Sequence, residues 1–289
     1  MKIYETYNQI LLVDFMYVWN CTWYANKGKS SKMFHYMKSI VRNMTSPNSG
    51  YSEVWFILDG SNSTASRKAI YEGYKANRDE DTKKEVYERV DEFLALMDEL
   101  YSEDYKVKFI RSENHEADDV IAAICQSGGA NYYIFSGDKD LMQLAKYEYV
   151  GICKTNHMFI DFNAKTLPVG TFPRYKNSEI LAKYSSALKV PITNISDIIK
   201  YKTFRGDMSD NIPSAVRNLK AKSIKELIDN CWIGEVPMSD EVFNSMVDYA
   251  DDKLKERLVE HKSNIYRNWK LMQLVDVDVN SVITSMKIA

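Results

Sequence analysis

The sequence carries four short β-type apolar runs: QILLVDFMYVW (9–19), YSEVWFILDG (51–60), YKVKFIRSE (105–113) and NYYIFSGD (131–138). Helical patterns lie between the first three and follow HEADD. Parallel strands need crossover connections, and helices supply them, so this alternation predicts an α/β chain with a mostly parallel, twisted central sheet flanked by helices.

Beyond about residue 176 the β signal fades and short helical segments follow, punctuated by Pro191, Pro213, Gly234 and Pro237. The expected division is an α/β core over 1–176 and a smaller helical subdomain over 177–289. A chain of 289 residues, 45% hydrophobic, can bury a core of that size. No run of about 18 uncharged apolar residues is present, which predicts a soluble, cytoplasmic protein without a membrane partner. Four cysteines and four histidines lie far apart, which argues against both a disulfide framework and a zinc site.

The carboxylates carry the chemistry. Asp14 closes the first run, Asp59 the second, and Asp138 and Asp140 the fourth. Three strands therefore deliver acids to the C-terminal edge of the sheet, where open α/β folds bind ligands. In HEADDVIAAICQS, Ala117, Val120, Ile121 and Ile124 form the buried stripe of a helix, which puts Glu116, Asp118 and Asp119 in its first turn. In FRGDMSDNIP, Asp207 and Asp210 stand three apart at an expected helix start. Any one of these acids alone reads more simply as a turn residue or helix cap. Nine directed at one region would repel strongly unless cations compensate. Oxygen ligands without His or Cys select hard cations, Mg²⁺ or Mn²⁺. A cluster this large suits two ions about 3.5 to 4 Å apart, as in phosphoryl transfer.

Basic residues add a second pattern. Arg67, Tyr71, Tyr74 and Arg78 recur at i, i+4, i+7 and i+11, with Lys68 and Lys75 beside them. Read as one helical face, they suit a phosphate backbone and splayed bases, although the residues alone favour Tyr71 and Tyr74 as core with the cations as a solvated flank. The polar stretch NKGKSSK (26–32) reads as linker more readily than as a duplex contact.

LLVDF, ILDG followed by YEGYKANR, EADDVIA, SGDKDLMQL and GDMSDNIP resemble, in order, the motifs of the 5′-nuclease superfamily of flap endonucleases and 5′→3′ exonucleases. The resemblance is to the phage branch, which includes phage ribonuclease H, and to the 5′-nuclease domain of bacterial DNA polymerase I. NIYRNWKLMQLVDVDV resembles the family's closing segment. The resemblance implies a PIN-like core and a first metal site of Asp14, Asp59, Glu116 and Asp118. It implies Asp119, Asp138, Asp140, Asp207 and Asp210 around the second, and Lys75 and Arg78 near the scissile phosphate. It implies a helical arch over 79–100, whose apolar stripe of Val86, Val90, Phe93, Leu94 and Met97 reads equally as a packed amphipathic helix. Lastly, it implies a helix-three-turn-helix in the C-terminal subdomain.

Two departures stand out. Phe15 replaces the glycine that usually follows the first aspartate. The segment SAVRNLKAKSIKELI lacks the glycines of the family's turn for a monovalent cation, which puts a K⁺ site in question. Arg217, Lys220 and Lys222 could supply part of that grip on duplex electrostatically. All nine acids are present, which favours an active enzyme over a catalytically weak DNA-binding scaffold. A PIN-like ribonuclease is the competing enzyme reading, and it leaves the arch-like insert and GDMSDN unexplained. The expectation is a stand-alone, monomeric, Mg²⁺-dependent 5′ nuclease. It would remove RNA primers or 5′ flaps from DNA with a flap, nick or single-stranded 5′ end, or from an RNA–DNA hybrid. A single-strand-binding protein is a candidate partner.

Overall fold

The structure is a computed structural model that describes residues 8–26, 30–78, 80–101, 103–155, 172–275 and 277–279, and the side chains of 30, 31 and 80–88 are not part of that description. Most of the 26–32 stretch and the Val86 side chain therefore fall outside it. The chain divides into two compact units: Met1–Ser63 with Asp79–Tyr175 and Val275–Ala289, and Thr64–Arg78 with Lys176–Leu274. The sequence reading instead kept 64–78 with the core and everything after 177 with the helical part. Two interactions explain the difference. Tyr74 packs in a small cluster with Ile212, Leu271 and Met272, and the Val275 N–H donates to an Asp119 carboxylate oxygen at 2.7 Å.

The first unit contains β1 (Gln9–Asp14), α1 (Phe15–Ala25), α2 (Ser30–Met44), β2 (Glu53–Leu58), α4 (Glu80–Tyr101), β3 (Val107–Arg111), α5 (Ala117–Ser127), β4 (Asn131–Phe135) and β5 (Val150–Ile152). The strands form one sheet in the order β3-β2-β1-β4-β5, and every described pairing is parallel. Register places Asp14 beside Ile57 and Val13 beside Phe135. The order reverses between β1 and β4, so the switch-point crevice opens outside the ends of those two strands. β5 was absent from the sequence reading because three residues are too few to show a periodicity.

Phe15, Trp19, Phe56, Phe93 and Phe109 are all buried in the main core cluster. Phe56 and Phe109 stack at 4.9 Å between ring centroids, and Phe15 stacks on Trp19 at 5.6 Å. Phe15 thus spends its side chain on the core, which accounts for a bulky residue directly after Asp14. Val90, Phe93, Leu94 and Met97 belong to the same cluster, so this half of α4 is a packed amphipathic helix.

The second unit holds α3 (Ala65–Ile70), α6 (Asn177–Leu188), α7 (Ile198–Arg205), α8 (Ala221–Cys231), α9 (Asp240–Tyr249), α10 (Asp252–Glu260) and α11 (Lys262–Met272). The buried Asn268 on α11 donates to the Thr203 carbonyl at 3.1 Å and the Pro213 carbonyl at 2.8 Å, tying α11 to the end of α7 and the loop beyond it. Such a bond satisfies an amide that burial would otherwise penalise. Side-chain caps at Ser239 and Asp251 start α9 and α10.

Candidate metal centre and basic turn

The acids of the α/β unit gather where the sheet's C-terminal edge meets the first turn of α5. Asp14 ends β1, Asp59 follows β2, Glu116 is the residue before α5, and Asp138 and Asp140 follow β4. Asp59 accepts the Ala117 N–H at 2.8 Å, which places its carboxylate on the N-terminus of α5, where the helix dipole favours negative charge. One carboxylate oxygen from each of Glu116, Asp118 and Asp119 lies within 4.8 Å of the others, and Glu116 and Asp119 are buried. Asp119 is fixed from the far end of the chain by the Val275 N–H.

Asp14 shows the electrostatic stress of this arrangement. Burial pushes its pKa up to about 7, and the neighbouring Asp59 and Asp138 charges push the same way. The Ser136 hydroxyl, donating at 2.6 Å, and the Tyr17 N–H, donating at 3.0 Å, pull it back down. Ser136 also accepts the Asp138 N–H at 3.0 Å, so one hydroxyl orients two candidate ligands. Asp138 in turn accepts the Asp140 N–H at 2.8 Å.

Two glycines make this edge possible. A methyl group at Gly60 would lie 2.0 Å from the Ser112 carbonyl oxygen, and one at Gly137 would lie 2.1 Å from the Tyr17 ring. Ser136 and Tyr17 were missed as site residues by sequence reasoning. Ser136 lies inside the SGDKD motif, two residues before Asp138, and that proximity is the signal that could have found it. An all-carboxylate donor set, partly buried and mutually repelling, fits hard divalent cations.

Asp207 and Asp210 belong to the helical unit, and they do not stand at a helix start. α7 ends at Arg205, and the two acids occupy a tight turn closed by paired backbone hydrogen bonds between Asp207 and Ile212, at 2.9 and 2.7 Å. Lys202, another residue missed from sequence, pairs with Asp207 at 2.6 Å. Burial raises the Asp207 pKa, but the Lys202 charge and Ser209 hydrogen bonds outweigh it and hold the carboxyl below its ordinary value. Asp210 pairs with Arg78 at 3.0 Å and with Lys75 at 4.0 Å.

The basic stretch also departs from expectation. α3 stops at Ile70 and turns follow through Asn77, so Arg67, Tyr71, Tyr74 and Arg78 do not share one helical face. Arg67 and Tyr74 are buried. Arg67 donates to the Gln273 carbonyl at 3.1 Å and lies over the Tyr74 ring, which withdraws both residues from contact with nucleic acid. Lys68, Arg78, Arg217, Lys220 and Lys222 face solvent, and Tyr71 is half-buried under the Arg267 guanidinium. In the turn before α8, Asn218 adopts the left-handed conformation (φ 55°) that a glycine would accept more readily. The Ser214 hydroxyl lies 3.0 Å from both the Phe204 and Val216 carbonyl oxygens, and Arg257 donates to the Arg217 carbonyl.

Comparison with known proteins decides the lineage of these features. A family profile described as the 5′-3′ exonuclease, N-terminal resolvase-like domain, matches residues 9–185. The chain belongs to this family. Within it, DNA polymerase I of Caldicellulosiruptor bescii is 26% identical over 263 residues, covering 89% of this chain and 27% of that protein. DNA polymerase I of Borreliella burgdorferi is 28% identical over 173 residues, covering 58% of this chain and 16% of that protein. The chain thus spans about a quarter or less of the length of these relatives. Among solved structures, the zinc-bound 5′-exonuclease of bacteriophage T5 superposes with a TM-score of 0.61 at 20% identity, over 96% of this chain and 92% of that one. A bacteriophage T5 flap endonuclease in a pseudo-enzyme–product complex with DNA and metal ions gives 0.59 at 20% identity, over 97% and 94%. The family's fold is the one built here on the parallel five-stranded sheet.

Proposed function

We propose that this chain is a divalent-metal-dependent 5′ nuclease, a flap endonuclease or 5′→3′ exonuclease that removes 5′ flaps or RNA primers in replication and repair. The observation that carries this reading is the gathering of acids from three strand ends and the start of α5 at the sheet's carboxyl edge, in a chain of the 5′-3′ exonuclease family. When bound, two Mg²⁺ or Mn²⁺ ions would supply water activation and neutralisation of charge on the leaving oxygen.

The chain's own residues then divide the work. Asp14, Asp59, Glu116 and Asp118 hold the first ion. Asp119, Asp138 and Asp140 serve the second, with Asp207 and Asp210 as the remaining candidates. Ser136 aims Asp14 and Asp138. Lys75 and Arg78 place positive charge on the scissile phosphate, where a preformed donor stabilises charge as it develops. Lys68, Tyr71, Arg217, Lys220 and Lys222 are the candidate contacts to DNA or to an RNA–DNA hybrid.

Two features of the turn before α8 weigh against the family's monovalent cation. It lacks the family's glycines, and its Val216 and Arg217 carbonyls already meet donors, the Ser214 hydroxyl and the Arg257 guanidinium. This reading therefore places no K⁺ there. The family match weighs against the PIN-like ribonuclease.

A 5′-labelled flap, its matched single strand and an RNA-primed duplex, each incubated with Mg²⁺ or with EDTA, test the proposal. Cleavage near the flap junction or stepwise from the 5′ end, lost in EDTA, is the expected result. Binding of branched DNA without cleavage would leave only a scaffold.

A further inference from the structure

Lys75 and Asn211 both adopt the left-handed backbone conformation, at φ 54° and 57°, and the segments that carry them face one another within the helical unit. The Asn211 side-chain amide donates to the Gly73 carbonyl at 2.7 Å. The Lys75 N–H donates to the Asp210 carbonyl at 2.9 Å, and the Asn77 amide to the Met208 carbonyl at 3.3 Å. Between these bonds, Asp210 pairs with Arg78 and Lys75. A β-carbon disfavours the conformation of Lys75, so the contacts around it must hold it there. Arg78 is half-exposed and Lys75 stands as far as 4.0 Å from Asp210, so these ion pairs alone hold the geometry poorly. The amide and backbone bonds on either side of Asp210 set the register.

We propose that Asn211 is a positioning residue that latches the turn at 71–78 to the Asp207–Ile212 loop and so fixes where Lys75 and Arg78 present their charges. The latch rests on the nuclease reading above for what those two cations do. Asn211 tolerates the left-handed conformation, which a glycine would also provide. Its amide, which a glycine lacks, is the part that reaches Gly73. Loss of the amide leaves Asp210, Lys75 and Arg78 chemically intact but less firmly held, since only the Lys75 N–H and Asn77 amide bonds of the three remain.

The test compares Asn211→Gly with the intact protein, in the native and the Lys75→Ala backgrounds, by single-turnover cleavage of a 5′-flap with Mg²⁺. A second readout is amide hydrogen exchange over residues 71–78 without substrate. We expect Asn211→Gly to lower the saturated rate by ~10–100-fold with flap affinity little changed, because small displacements of a catalytic group carry costs of this order. The loss should shrink in the Lys75→Ala background, where Arg78 alone remains to be misplaced. Exchange over 71–78 should rise. An equal loss in both backgrounds, or an unchanged rate, would overturn the proposal. If the native protein cleaves nothing, the nuclease reading fails by itself. The exchange data then decide the latch: faster exchange in Asn211→Gly supports it, and unchanged protection refutes it.

Discussion

Ser136 reaches two of the candidate metal-binding acids, since its single hydroxyl donates to Asp14 at 2.6 Å and accepts the Asp138 N–H at 3.0 Å. Groups that orient metal ligands tune affinity nearly as strongly as the ligands themselves. Ser136→Ala should therefore raise the Mg²⁺ concentration for half-maximal cleavage by ~10–100-fold. A Mg²⁺ titration of the cleavage rate measures this, and an unmoved midpoint would remove Ser136 from the site. The cysteines give a prediction independent of catalysis. Burial raises all four thiols, Cys153 to about 12, but Cys21 and Cys231 are only partly buried whereas Cys125 and Cys153 are fully so. Thiolate is the reactive form, so a raised pKa means slow labelling that quickens as pH rises. A thiol reagent at mildly alkaline pH should modify Cys21 and Cys231 in the folded protein, and Cys125 and Cys153 only after unfolding. Peptide mapping of the label checks the order. Of the acids, Asp14, Asp59 and Glu116 could be placed from sequence because each sits at the end of a periodic segment. Lys202 and Asn211 could not, because their roles depend on which loop folds back against which.

Among the elements, the long strands and α5 were legible because their burial follows a simple period: β1 and β2 are near-continuous apolar runs. α3 and the turn after it were not. The spacing of Arg67, Tyr71, Tyr74 and Arg78 fits a helix, yet Tyr71 takes an extended backbone (φ −150°) and ends it, and Tyr74 turns into a local core. Tertiary burial of one aromatic ring overrode the periodic pattern. The turn before α8 misled in the opposite sense, since its lack of glycine hid a geometry that Asn218 supplies. Because Ser214 and Arg257 already serve its carbonyls, duplex affinity should be the same in K⁺, Na⁺ and tetramethylammonium salts at matched ionic strength. Fluorescence anisotropy with a labelled duplex measures this, and a clear preference for K⁺ would contradict the reading of that turn.

At the scale of the whole molecule, charge total and charge placement diverge. The formal net charge is −2, but setting aside the nine candidate acids raises it to +7 for the remainder. Phosphate binding by that remainder releases counterions, so DNA affinity should fall at least ~10-fold between 50 and 200 mM salt. A flat salt dependence would mean that the basic residues do not meet phosphate. Division into units was only partly legible. Val275 returns to the α/β unit, where its backbone N–H donates to the Asp119 carboxylate, a long-range contact that no local pattern encodes. The measurement that tests the central claim most directly is the single-turnover cleavage rate of a 5′-flap across a Mg²⁺ titration, for the native protein and for Glu116→Gln. The account predicts a native rate that saturates with Mg²⁺ and disappears in EDTA, and a Glu116→Gln curve displaced to higher metal by ~10-fold or more. Superimposable curves, or cleavage that survives EDTA, would contradict it.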